Sequence, residues 1–129
     1  MKVSVIYWTG TGNTEIMAKH IVEGAEAAGA DVKLLFVSDA TVEDFTGADA
    51  VALGCPAMGA EELEEYEFAP YMDSVKEFCN GKKILLFGSY NWADGEWMRT
   101  WTAEMNDLGA DLVEAEGLIC LDDPDADFQ

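Results

Sequence analysis

Val3-Ser4-Val5-Ile6-Tyr7-Trp8-Thr9-Gly10-Thr11-Gly12-Asn13-Thr14 is an apolar run of strand length that breaks into two glycines, three threonine hydroxyls and an amide. The pattern predicts a strand over 3–7 and a helix over 14–28, in which Ile16, Met17, Ile21, Ala25 and Ala28 recur near helical spacing before Gly29. Between them, Thr9, Gly10, Thr11, Gly12, Asn13 and Thr14 bring backbone N–H groups and side-chain donors to a helix N-terminus, where the orphan donors of the first turn attract an anion. A Walker loop would carry a lysine here, and a dinucleotide fingerprint would carry a glycine where Glu15 stands. ATP, GTP and NAD are therefore poor matches and a phosphate monoester a better one. The competing reading is a tight turn capped by Thr11 or Asn13 that holds no ligand.

Outward from this turn, strands alternate with helices. Strands are expected at 32–37, 48–54 and 83–88 and within 112–121, a helical turn at 41–45, and helices at 70–78 and 95–108, the first of these after the acidic stretch 61–67. Trp97 and Trp101 stand four apart, on one helical face, and read as core. Runs such as Ile84-Leu85-Leu86-Phe87 suit a parallel sheet covered on both faces. Right-handed crossovers then bring every strand C-terminus to one edge, so the segments 8–14, 55–67 and 89–95 meet where a ligand should sit. No repeat or linker interrupts the pattern, and 129 residues suffice for one core, so one domain over 1–129 is expected.

Seven Lys plus Arg against 26 Asp plus Glu give a formal charge of −19. Such a chain repels nucleic-acid phosphates and anionic membranes and is steered towards basic protein faces. Cys55, Cys79 and Cys120 form no CxxC, and His20 is the only histidine, so neither a disulfide framework nor a zinc site is expected. The opening residues read as a strand rather than a signal peptide, and no stretch approaches the length of a membrane span. A cytoplasmic location is the expectation.

Three motifs together, TGTGNTE after the first strand, GCPAMG followed by EE, and FGSY-x-W-x-x-GEWM, resemble the three FMN loops of short-chain, clostridial-type flavodoxins, over residues 2 to about 121. The resemblance implies a flavodoxin-like doubly wound α/β fold, five parallel strands in the order 2-1-3-4-5 with helices on both faces. It implies one non-covalent FMN whose phosphate lies in the first loop. It further implies that Met58 covers one face of the ring, that Glu61 accepts from its N(3)–H, and that the peptide after Gly59 rotates on reduction, with Ala57 and Ala60 in the same turn. Glycine adopts the required positive φ easily, whereas Ala60 tolerates it less well, which biases the turn towards its reduced arrangement. In the third loop, Ser89, Tyr90, Asn91 and Trp92 are the expected contacts, with Trp92 stacking on the ring. Tyr7 and Trp8 receive no role.

The function so implied is low-potential one-electron transfer, mainly between semiquinone and hydroquinone, by a carrier that is not an enzyme. Its expected partners are ferredoxin- or flavodoxin-dependent oxidoreductases with basic docking faces. The bound phosphate and Glu61, Glu62, Glu64 and Glu65 disfavour the second electron. Each charge at about 10 Å and an effective dielectric near about 40 contributes about 0.8 kcal/mol. The alternative is a flavodoxin-like NAD(P)H-dependent flavin or quinone reductase, which turnover with NADH would reveal. A phosphatase or arsenate reductase of similar fold would need an anion loop ending in Arg after a reactive Cys, but Glu61 stands six residues after Cys55. A receiver domain would need acidic residues where Tyr7-Trp8-Thr9 stand. The eight residues 122–129 are too few and too acidic for the helix that closes the family fold. A missing last helix predicts several hundred square ångströms of exposed apolar sheet, covered by a second copy, a partner or a rearranged tail.

Overall fold

The computed structural model describes residues 2–9, 12–55, 67–90, 96–112 and 118–121. Strand β1 (Lys2–Tyr7) lies between β2 (Asp31–Phe36) and β3 (Ala50–Gly54), β4 (Lys83–Tyr90) follows β3, and every pairing is parallel. The far edge of β4 carries two short segments in succession, β5 (Asp111–Leu112) and β6 (Leu118–Leu121). The expected order 2-1-3-4-5 is therefore the observed one, with the fifth strand in two pieces. Five residues, 113–117, separate the two segments, while only Leu85 and Leu86 separate their partners on β4. A strand within 112–121 is present as expected, in β6, with Leu112 adding a short pairing at Ile84.

Strand alternation divides the core. Val5, Tyr7, Ala52 and Phe87 meet Met17 and Ala18 of α1 (Asn13–Ala27) on one face. Ile6, Val51, Leu53, Ile84 and Leu86 point to the other face. There they meet Phe45 of α2 (Val42–Thr46), Phe68, Met72 and Val75 of α3 (Phe68–Val75), and Trp97, Met98, Trp101 and Met105 of α4 (Glu96–Asp107). Burying each large side chain contributes about 1.5–3 kcal/mol, which is what holds helices on both faces. Trp97 and Trp101 are both core residues, as their spacing predicts.

Local chemistry explains where the helices differ from expectation. After α1, Gly29 N–H bonds to Glu26 and Ala30 N–H to Ala25, the paired bonds of a Schellman stop. Thr41 and Asp44 form a reciprocal capping box, so α2 begins at Val42 and runs through Thr46. Asp44 also accepts from Lys33 Nζ at 3.0 Å, and its carbonyl accepts from Ser4 Oγ at 2.7 Å, which satisfies a buried hydroxyl on the sheet. Lys82 Nζ donates to the Thr46 and Ala48 carbonyls past the other end of α2. Helix α3 starts at Phe68, two residues before the expected Pro70, because a proline in the first turn gives up an N–H that has no helical partner. Residues 76–78, expected to be α-helical, tighten into a 3-10 turn.

On the sheet face that α1 packs against, Val3, Val32 and Leu85 are partly buried. Phe87 is fully buried, its ring over Gly54, and the large apolar side chains exposed among the described residues are Leu34 and Phe78. Residues 122–129, on which the missing last helix was expected, lie outside the described residues. Among the described residues no helix is long and apolar enough to cross a membrane.

Candidate functional site

The C-terminal edge of β1, β3 and β4 is built by ladder bonds that continue past the strands. Trp8 N–H donates to the Gly54 carbonyl at 2.9 Å, and Cys55 N–H to the Phe87 carbonyl at 3.1 Å. From this edge the chain turns into α1. Thr9 Oγ1 accepts from Gly12 N–H at 2.9 Å, Gly12 has φ 100° and ψ −13°, and the first helical bond runs from Ile16 N–H to the Gly12 carbonyl at 3.0 Å. A φ of that sign suits a residue without a β carbon. Gly12 therefore occupies the N-cap position without a side-chain cap, and the N-terminal turn of α1 is not closed by its own cap residue. One N–H counted towards the anion cradle, that of Gly12, is spent on Thr9.

Electrostatics around this helix start follow from Tyr7 and Glu15. The Tyr7 hydroxyl donates to Glu15 Oε1 at 3.3 Å, and Lys19 Nζ stands 3.9 Å from the same oxygen. Burial, then the Glu15 charge, raises the Tyr7 pKa, so the phenol keeps its proton at neutral pH and remains a donor. Glu15, in the first turn of α1, is thus partnered by Tyr7 and Lys19. Thr14 is buried against the sheet.

Between β3 and β4, Gly88 lies against the Cys55 peptide; a β carbon there would overlap the Cys55 carbonyl oxygen and crowd the Trp97 ring. Into this space Trp97 Nε1 reaches from α4 and donates to the Cys55 carbonyl at 3.1 Å, fully buried. Across the edge, Trp8 Nε1 donates to Glu67 Oε1 at 3.2 Å.

Thr9, Gly12, Asn13 and Thr14 run from the end of β1 into the first turn of α1. Ser89 and Tyr90 belong to β4 rather than to a loop, because Cys120 and Leu121 of β6 extend the ladder beside them. Gly10, Thr11, Ala57, Met58, Gly59, Ala60, Glu61, Asn91 and Trp92 lie outside the described residues. Sequence reasoning missed Tyr7, Trp8, Glu67 and Gly88. The indoles offered a signal, since a buried or half-buried indole N–H usually finds a partner.

An open groove of about 510 Å³ lies at the opposite, N-terminal edge of β1 and β2, lined by Lys2, Ser4, Asp31, Lys33, Glu43 and Asp44 among others. Its Lys33 and Asp44 are paired with each other, and Lys2 N–H bonds to Asp49.

A parallel sheet in the order 2-1-3-4-5, with an anion-ready turn after the first strand, defines a flavodoxin-like doubly wound protein. The flavodoxin family model matches residues 5–129. The chain is 45% identical to a flavodoxin of Clostridium beijerinckii over 95% of its own length and 88% of that protein, and 46% identical to one of Megasphaera elsdenii over 86% and 81%. It superposes on the solution structure of two-electron reduced Megasphaera elsdenii flavodoxin with a TM-score of 0.89 at 44% identity, covering 96% of this chain and 89% of that one. The chain belongs to the flavodoxin family, electron carriers whose cofactor is FMN.

The described residues fit that cofactor's phosphate: the Thr9 hydroxyl and a helix start whose N-cap residue, Gly12, has no side chain to bond the first turn.

Proposed function

We propose that this chain holds one FMN at the C-terminal edge of β1, β3 and β4 and carries single electrons at low potential between redox proteins, without catalysing a reaction of its own. The observation that supports it most directly is the α1 N-terminus, where Gly12 leaves the first turn without a side-chain cap directly after β1, in a chain of this family. Thr9, Gly10, Thr11, Gly12, Asn13 and Thr14 are the proposed phosphate site. Ala57, Met58, Gly59, Ala60 and Glu61, with Ser89, Tyr90, Asn91 and Trp92, are the proposed surroundings of the ring, Met58 and Trp92 on its faces and Glu61 at its edge. When bound, FMN accepts and releases electrons one at a time.

The chain's part is electrostatic and positional. A formal charge of −19 disfavours each added electron and favours basic docking faces on its partners. Docking of that kind weakens as salt shortens the Debye length. One domain spanning the chain and a cytoplasmic location belong to the same reading. A second copy or a partner over the sheet face remains part of this reading, with Leu34 of β2 exposed there. The test is addition of FMN to the purified protein followed by assay with NADH: tight binding without turnover supports the carrier, and rapid turnover would replace it with a reductase.

A further inference from the structure

Two indole N–H groups hold the two residues that flank segment 56–66. Trp97 Nε1, buried on α4, donates to the carbonyl of Cys55, the residue before the segment. Trp8 Nε1, at the end of β1, donates to the carboxylate of Glu67, the residue after it. Neither bond is local: the partners are 42 and 59 residues apart in sequence. The first is also built from below, because Gly88 gives the Cys55 carbonyl room that any β carbon would fill.

We propose that Trp8 and Trp97 are positioning residues for FMN, fixing both ends of the segment that carries Met58, Gly59 and Glu61. This rests on the proposed reading of that segment as a flavin loop. Cys55 and Glu67 are already held before the ring binds, so their ordering costs nothing at that step and the two bonds contribute to affinity without touching the cofactor. The two clamps differ in setting. Trp97 belongs to the core, so its removal also affects folding, whereas Glu67 is exposed and its bond with Trp8 carries little of the global stability.

Trp101 supplies a matched control. It lies one turn further along α4, is as buried as Trp97, and its Nε1 has no partner among the described residues. Trp101→Phe therefore removes the same atoms from the same core without removing a bond to the segment's flank. At the other clamp, Glu67→Gln keeps an acceptor oxygen and removes the charge, Glu67→Ala removes both, and Trp8→Phe removes the donor together with part of the ring.

The experiment measures FMN dissociation constants by flavin fluorescence, with thermal melting of each apoprotein. Trp97→Phe, Trp8→Phe and Glu67→Ala are expected to weaken FMN binding by about three- to tenfold, the range of one net hydrogen bond. Glu67→Gln should recover most of the affinity that Glu67→Ala loses. Trp101→Phe should lower the melting temperature as Trp97→Phe does and leave FMN affinity within about twofold. Equal affinity losses in Trp97→Phe and Trp101→Phe, or in Glu67→Gln and Glu67→Ala, would overturn the proposal, the first by assigning the effect to packing and the second to charge. If Trp97→Phe does not fold, the Trp8 and Glu67 variants decide alone. A folded unsubstituted protein that does not bind FMN overturns the cofactor reading and this proposal together, whereas binding that none of the substitutions alters overturns this proposal only.

Discussion

Gly88 lies so close to Cys55 that a β carbon on it would overlap the Cys55 carbonyl oxygen, the atom that also accepts from Trp97 Nε1. The close approach joins β4, the end of β3 and α4 at one point at the C-terminal edge of the sheet. Gly88→Ala is expected to destabilise the protein by about 1–3 kcal/mol, the usual cost of overfilling a packed site. Urea unfolding of the apoprotein measures it, and an unchanged midpoint would show that the sheet yields there easily.

Gly12 presents the opposite case. A β carbon on it would meet nothing, yet its φ of 100° is one that L residues rarely adopt. Gly12→Ala should therefore cost about 1–2 kcal/mol for backbone reasons alone, with Gly12→Asn losing less because asparagine visits positive φ more readily. Urea midpoints of the two variants compare them directly; equal losses would point to sterics rather than φ.

Thr9 closes the same turn by accepting from Gly12 N–H. Thr9→Ser keeps that acceptor and Thr9→Ala removes it. Alanine is expected to weaken FMN binding by about fivefold, equivalent to about 1 kcal/mol for one net hydrogen bond, while serine stays close to the parent. Fluorescence titration with FMN separates the two.

Asp44 gives a pH dependence with a definite sign. Its capping bond from Thr41 N–H, followed by the bonds from Lys33 and the Thr41 hydroxyl, holds the carboxyl below the ordinary Asp value. A depressed folded-state pKa means stability that is fully present above the unfolded value, about 3.9, and is lost as pH falls through the folded one. Asp44→Asn should therefore lower stability at pH 7 and shrink the loss that the parent shows below about pH 4. Melting temperatures of both proteins between pH 7 and pH 3 check this; parallel curves would remove Asp44 from the acid transition.

Much of the fold was legible because the physics is local or periodic. Apolar runs such as 84–87 marked strands buried on both faces, and Trp97 and Trp101 marked the inner face of α4. What the sequence hid was contact between distant residues. Ser89 and Tyr90 read as loop because their strand partners, Cys120 and Leu121, come thirty-one residues later and after a break in the outer strand. The turn between β1 and α1 was visible as a motif, but not that Gly12 N–H would bond to Thr9 or that Tyr7 and Lys19 would partner Glu15. Trp8 and Glu67 are separated by 59 residues, and no spacing rule pairs an indole with a carboxylate at that distance.

The central claim is that this chain binds FMN and passes electrons singly, and anaerobic reductive titration after adding FMN tests it most directly. The account predicts a bound flavin whose visible spectrum passes through a distinct one-electron-reduced form before full reduction, with the second potential well below the first. A folded protein that leaves FMN free in solution, or one that takes both electrons in a single step, would contradict it.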